Sequence, residues 1–263
     1  MRLEIGNLVS SLERESGGQI SFAFVSADGV LSHRGNEIMD TASTYKLPLL
    51  LHLALCVHEG SLSWELPLRL TDALKSRGTG VLWALHSGLE LTLRDVCHLM
   101  TVLSDNTATD MLVDRFGLED VNARLRSFGL EHTRLLRQAS TSDGLGRAPF
   151  ATGMTTPNEM TELLQRLANG SFGAGVTRDV LEMLAAQNDQ SMIPRYLPPG
   201  WSYAGKTGCN NDLRADVGLV RDPQGREFVL ALFCKVPASN DWSLENPGTL
   251  ALARLARALL LDS

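Results

Sequence analysis

Strand-forming patterns in this chain are confined to its two ends, so any sheet it builds must join the first and last parts of the sequence. At the start, Ile5, Leu8, Val9 and Leu12 recur at helical spacing up to the Gly17-Gly18 pair. Ile20, Phe22 and Phe24 then alternate with Ser21 and Ala23, and Ala27-Asp28-Gly29 turns the chain into a second strand from Val30 to His33. At the far end, Val217 to Val220 and Phe228 to Val236 are apolar runs joined by Asp222-Pro223-Gln224-Gly225, a turn sequence. The second run is apolar on both faces, as in a central strand. Leu252, Leu255, Ala256 and Leu259 make one stripe of a closing amphipathic helix.

The long middle reads as helices over 44–59, 93–103, 107–116, 118–128, 158–168 and 178–186. Thr92 with Asp95, and Thr107 with Asp110, have capping-box spacing and predict where two of these helices begin. The expected architecture is an α/β fold. Residues 1–40 and 195–263 would form an antiparallel sheet domain, with an all-helical domain, 41–194, inserted between its strands.

With 263 residues, 44% of them apolar, the chain can bury a substantial core. A net charge of -6 without a basic tract argues against nucleic acid or an anionic membrane as partner. The first residues lack the charged-then-apolar pattern of a secretory signal, and no segment has the apolar length of a membrane span. The sequence as written predicts a cytoplasmic protein, or a periplasmic or secreted one if an export signal has been removed. Cys56, Cys97, Cys209 and Cys234 are scattered, with no histidine at ligand spacing, so buried thiols and no metal are expected.

Three short segments carry chemistry. Ser43 and Lys46, three residues apart near the start of an apolar helix, emerge on one face, where a neutral lysine can take the serine proton. That requires the lysine pKa to fall from about 10.4, through the helix N-terminus and a second cation, for which Lys206 is the natural choice. Ser104-Asp105-Asn106 lies between two helices. There Ser104 can relay a proton, Asn106 can bind an amide, and Asp105 can turn inward to accept backbone hydrogen bonds. Lys206-Thr207-Gly208 ends an extended run from Trp201. Lys206 and Thr207 can grip a carboxylate, and the N–H groups of Cys209 and Ser43 can face an oxyanion. Singly, each segment is ordinary: a capping serine with a solvated lysine, a helix start, a strand end.

Together, in this order, the three resemble the penicillin-recognising serine enzymes, and most closely the class A β-lactamase family, matching its S-x-x-K, S-D-N and K-T-G elements without substitution. The resemblance covers nearly the whole chain and implies an α/β/α sandwich plus an all-α domain, with a cleft between them. It implies Ser43 as the acylated nucleophile, Lys46 as its base, Ser104 as the proton shuttle, Asn106 as an amide contact and Lys206 with Thr207 as the carboxylate site. Arg214 is a looser candidate for a second carboxylate anchor. No cofactor is implied, the expected partner is a small β-lactam or related amide or ester, and a monomer is expected.

One departure stands out. The family carries a glutamate on a loop before a helix start like Thr155-Thr156-Pro157, where it activates the water that releases the acyl group. Here the stretch 137–150 contains no glutamate, and Asp143, beside Gly144, is its only acid. Acylation with slow deacylation is therefore expected, since general-base help is worth about 10²- to 10⁴-fold. The alternatives are a D-Ala-D-Ala peptidase-like penicillin-binding protein, a hydrolase of another small amide or ester, and a covalent β-lactam sensor.

Overall fold

The main sheet draws its strands from both ends of the chain. A computed structural model describes residues 2–136, 152–238 and 241–261. The chain opens with α1 (Arg2–Ser16), β1 (Gln19–Ser26), β2 (Gly29–His33) and β3 (Met39–Asp40). It continues through α2 (Lys46–His58), β4 (Pro67–Arg69), β5 (Glu90–Thr92), α3 (Leu93–Val102), α4 (Asn106–Phe116) and α5 (Glu119–Ser127). Then come β6 (Arg134–Leu135), β7 (Gly153–Thr155), α6 (Pro157–Ala168) and α7 (Ala174–Ala185). It closes with β8 (Ser202–Asn210), β9 (Leu213–Arg221), β10 (Glu227–Lys235) and α8 (Pro247–Leu261).

Five strands form an antiparallel sheet in the order β2-β1-β10-β9-β8, with β1 and β10 paired from Gln19 opposite Lys235 to Val25 opposite Val229. Side-chain alternation divides this sheet between two cores. Leu230 and Leu232 of β10 join Phe22 and Phe24 against α1 and α8, through Val9, Leu12, Leu252 and Leu255. Val229, Ala231 and Phe233, with Val217 and Leu219 of β9, face the other way onto Leu163 and Leu164 of α6. Helices thus cover both faces, and the expected α/β/α sandwich is the fold observed.

Within the helical part, α2 is buried from Lys46 to Leu55 and forms the spine of the larger core. A helix apolar on every side has to be interior. Pro48 is tolerated because it lies in the first turn, where its missing N–H has no partner within the helix.

Thr92 and Asp95 form the predicted capping box at α3. At α4 the sequence reading needs correction: the cap is Asp105, whose carboxylate accepts from Ala108 N–H, and the helix starts at Asn106. Thr107 instead exchanges hydrogen bonds of 3.0 Å with the N–H and carbonyl of Ser76. The two- and three-residue strands β3 to β7, which form two small sheets, were not expected.

Candidate active site

Ser43 lies in a 3₁₀ turn, Ala42–Tyr45, that runs directly into α2. Ala42 N–H donates to Asp40 Oδ1 at 2.7 Å, and the Thr44 hydroxyl donates to the Thr41 carbonyl at 2.6 Å. These bonds fix Ala42 at φ 40°, a left-handed conformation that costs an L-residue about 1–2 kcal/mol. Ser104 is similarly held, at φ 54°. Of the three non-glycine residues with positive φ among those described, two therefore lie at the motifs, Ala42 beside Ser43 and Ser104 within its own turn. Such strain persists only where surrounding contacts impose it.

The serine-aspartate-asparagine turn is fastened from both sides. Asp105 points inward and accepts from the N–H groups of Val81, Leu82 and Ala108 at 2.6, 2.9 and 2.9 Å. Gly80, at φ 96°, leaves room for this carboxylate, because a Cβ there would lie 2.2 Å from it. Thr79, which the sequence reading missed, donates its hydroxyl to the Ser104 carbonyl at 2.6 Å and lies 3.3 Å from Asn106 Oδ1. Asn106 Nδ2 donates to the Arg77 carbonyl at 3.2 Å.

Lys46 is not the solvated side chain its segment alone would suggest: it is 1% exposed. Its Nζ is 2.7 Å from the Ser104 carbonyl oxygen, 3.0 Å from Asn106 Oδ1 and 3.1 Å from Ser104 Oγ. A neutral amine fits this set, giving its two N–H groups to the carbonyl oxygens and accepting the Ser104 hydroxyl on its lone pair. Burial lowers the Lys46 pKa well below its ordinary value, and the charge of Lys206 lowers it further, against the opposing pull of Asp105 and Asp110. Burial is the larger cause, whereas the sequence had pointed to the helix terminus and the second cation.

Lys206, Thr207, Gly208 and Cys209 lie on β8, the sheet edge beside the Ser43 turn. The strand continues to Asn210, beyond the expected end at Gly208. A Cβ on Gly208 would come 2.8 Å from the Thr41 carbonyl and 3.0 Å from the Ser43 and Thr44 nitrogens, so glycine alone permits this approach. Lys206 is fully buried, and its Nζ donates to the Thr207 carbonyl at 2.9 Å. Burial brings its pKa down to about 8, against the charges of Asp189, Cys209 and Asp216. Burial pushes the Cys209 thiol up to about 11.

Asp216 pairs with Thr207 across the strands and is fully buried. It accepts a hydrogen bond from the Tyr203 hydroxyl and another from Ile193 N–H at 2.9 Å. Burial raises its pKa to about 7, opposed by these bonds. Its one signal in the sequence was a carboxylate inside an apolar strand.

Arg214, the looser candidate for a carboxylate anchor, is held by backbone carbonyls. It is 2% exposed, and its guanidinium donates to the carbonyls of Asn210, Leu213 and Asp241 at 2.5, 2.8 and 2.6 Å. The ring of Trp242, 5.4 Å away, covers it. These bonds tie it to the β8–β9 hairpin and the 241–242 segment. Asp143 and the rest of 137–151 lie outside the described residues. Among the described residues no group of three or more His, Cys, Asp or Glu could hold a metal ion. No helix among them is long and apolar enough to cross a membrane.

The chain is 28% identical over 237 residues to a beta-lactamase of Streptomyces cellulosae, covering 87% of this chain and 76% of that protein. Among solved structures it resembles a beta-lactamase from Sphaerobacter thermophilus, with 31% identity, a TM-score of 0.89 and coverage of 98% and 96% of the two chains. It also resembles a point mutant of PBP-A, solved as an acyl-enzyme complex with penicillin G, with 25% identity, a TM-score of 0.86 and coverage of 97% and 93%. The model of the beta-lactamase enzyme family matches residues 4–261, which spans both sheet ends and all three motifs. The chain belongs to the beta-lactamase enzyme family.

Proposed function

We propose that this protein is a class A β-lactamase-like serine hydrolase that opens a β-lactam through an acyl-enzyme on Ser43. In this mechanism Ser43 Oγ attacks the lactam carbonyl while neutral Lys46 takes its proton. The N–H groups of Ser43 and Cys209 hold the oxyanion, and loss of one such donor typically costs about 10²- to 10³-fold in rate. Ser104, hydrogen-bonded to Lys46, passes the proton to the departing ring nitrogen. Lys206 and Thr207 receive the substrate carboxylate, Gly208 lets β8 lie against the nucleophile turn, and Asn106 meets the substrate amide. Arg214 is a looser candidate for a second carboxylate anchor, with the Trp242 ring 5.4 Å from its guanidinium.

The observation that carries this reading is the burial of Lys46 between Ser104, Asn106 and a second buried cation, which favours the free amine a base must have. Ser43 Oγ is not among the partners of Lys46 Nζ, as is common before substrate tightens such contacts.

Deacylation is the weak step. With no glutamate in 137–150, the acyl-enzyme should accumulate. The same feature, with the likeness to PBP-A, favours a penicillin-binding protein of the D-Ala-D-Ala peptidase type as the second reading. Mixing the protein with benzylpenicillin and following its intact mass separates the two behaviours. A persistent adduct mapped to Ser43 is expected. An adduct that clears with product release would mean efficient turnover by another base, and an adduct retained in Ser43→Ala would remove Ser43 as nucleophile.

A further inference from the structure

A second cluster of reactive groups lies on the helix that begins with Lys46, ten residues further along and so about 15 Å away. Cys56 Sγ is 3.5 Å from His52 Nε2, one turn earlier on the same face of α2, and 3.9 Å from Arg124 Nη2 on α5. The three border an open surface depression of about 540 Å³, also lined by Ser61, Asp120 and Phe128. His52 is only 7% exposed, and its Nδ1 has no hydrogen-bond partner. An imidazole buried with one nitrogen unsatisfied and the other on a thiol is not explained by packing alone, since such groups are normally paired.

Cys56 also differs from the other three thiols. Cys97 and Cys234 are buried, with pKa values raised by that burial, and the Cys209 thiol is raised in the same way. Cys56 is half-buried at the depression, with a ring nitrogen 3.5 Å away to receive its proton.

We propose that Cys56 is a modification site that forms a mixed disulfide with small, amine-bearing disulfides. The Cys56 S–H proton passes to His52 Nε2, and the thiolate attacks one sulfur of R–S–S–R. A Cys56–S–S–R bond forms as the original S–S bond breaks, and R–S⁻ leaves and takes the proton from His52. Cys56 is oxidised, the departing half of the disulfide is reduced, and no other oxidant is needed.

The preference for an amine comes from the charges at the depression. Arg124 already holds Glu59 through bonds of 2.5 and 2.8 Å, and burial lowers the His52 pKa, which keeps the ring neutral. The remaining charge on the lining is the exposed Asp120 carboxylate, which attracts an ammonium and repels a second carboxylate.

The test compares cystamine with 3,3′-dithiodipropionate on the intact protein, following mass and mapping the adduct. Each rate is divided by that of free cysteine with the same probe. The expected result is one adduct, on Cys56, with the cystamine ratio at least about tenfold the other. His52→Gln should slow it about tenfold or more. First labelling at Cys209, or a wild-type Cys56 no faster than free cysteine, overturns the site without any variant. Equal ratios for the two probes overturn the ligand class, and an unchanged rate in a folded His52→Gln overturns the role of the ring.

Discussion

The two buried lysines of the cleft have the same side chain and nearly the same exposure, yet their surroundings shift their pKa values to different extents. Lys46 is set at the start of α2, facing carbonyl oxygens, a hydroxyl and the second lysine, and its pKa falls well below the ordinary value. Lys206 is on β8, with one carbonyl partner and the carboxylates of Asp189 and Asp216 in its field, and it retains a pKa of about 8. The first is pushed toward the free amine, and at neutral pH the second is mostly a cation. Burial lowers both, and the neighbouring charges, Lys206 against Asp105 and Asp110 at the first and Asp189 and Asp216 at the second, set how far each falls.

The largest effect should come from removing the amine. On the proposed mechanism, Lys46→Ala slows acylation by penicillin about 10²- to 10⁴-fold. Lys46→Arg should be as slow, because a guanidinium does not give up its proton. Stopped-flow or quenched mass measurements check both, and a Lys46→Arg variant retaining most of the wild-type rate would break the contrast between the two lysines. Lys206→Ala, by comparison, should mainly raise the substrate concentration needed for half-maximal acylation, with a smaller effect on the limiting rate.

A smaller effect, acting through geometry, is expected from Gly208→Ala. Its added Cβ presses on the Thr41 carbonyl and the Ser43 nitrogen, moving β8 away from the nucleophile turn. Overpacking of this kind costs about 1–3 kcal/mol, so both the melting temperature and the acylation rate should fall. A stable variant with full activity would show that the approach of the strand to Ser43 is not needed.

The smallest change should follow Asp216→Asn. An amide still accepts the Tyr203 hydrogen bond, but one of the charges that raise the Lys206 pKa, a smaller one than that of Asp189, is gone. The Lys206 pKa should drop, moving the alkaline limit of carboxylate binding to lower pH. The carboxyl of Asp216 also titrates higher in the folded protein than in the unfolded chain, so it takes stability away as pH rises from about 4 to about 7. Asp216→Asn should flatten that slope in a denaturation series, and an unaltered slope would assign it to another group.

Much of this organisation was legible in the sequence because the signals were long or local. The alternation in β1, the two-faced apolar run of β10 and the capping box at Thr92 are each sufficient to predict their element. Spacing predicted that Ser43 and Lys46 share a helix face, and that the three motifs meet was implied by the family resemblance. What stayed hidden depends on contacts between distant segments. Thr107 was misread as a cap because nothing local reveals its bonds to Ser76. Thr79 gives no signal until it packs over Ser104, and strands as short as β3 and β6 have no readable alternation. The burial of Lys46 emerges only when α2, the 104–106 turn and β8 come together.

The most direct measurement is the rate of Ser43 acylation by benzylpenicillin as a function of pH, run alongside a penicillin methyl ester. For the acid, the rate at low substrate should fall toward acid pH as Lys46 gains a proton, at a pH well below that of an ordinary lysine, and fall again above about pH 8 as Lys206 loses one. The ester should show the acid limb alone, because it has no carboxylate for Lys206 to hold. A rate that instead climbs steadily through pH 8 toward 10, for both compounds, would mean that Lys46 titrates as an ordinary lysine and would contradict its assignment as the neutral base.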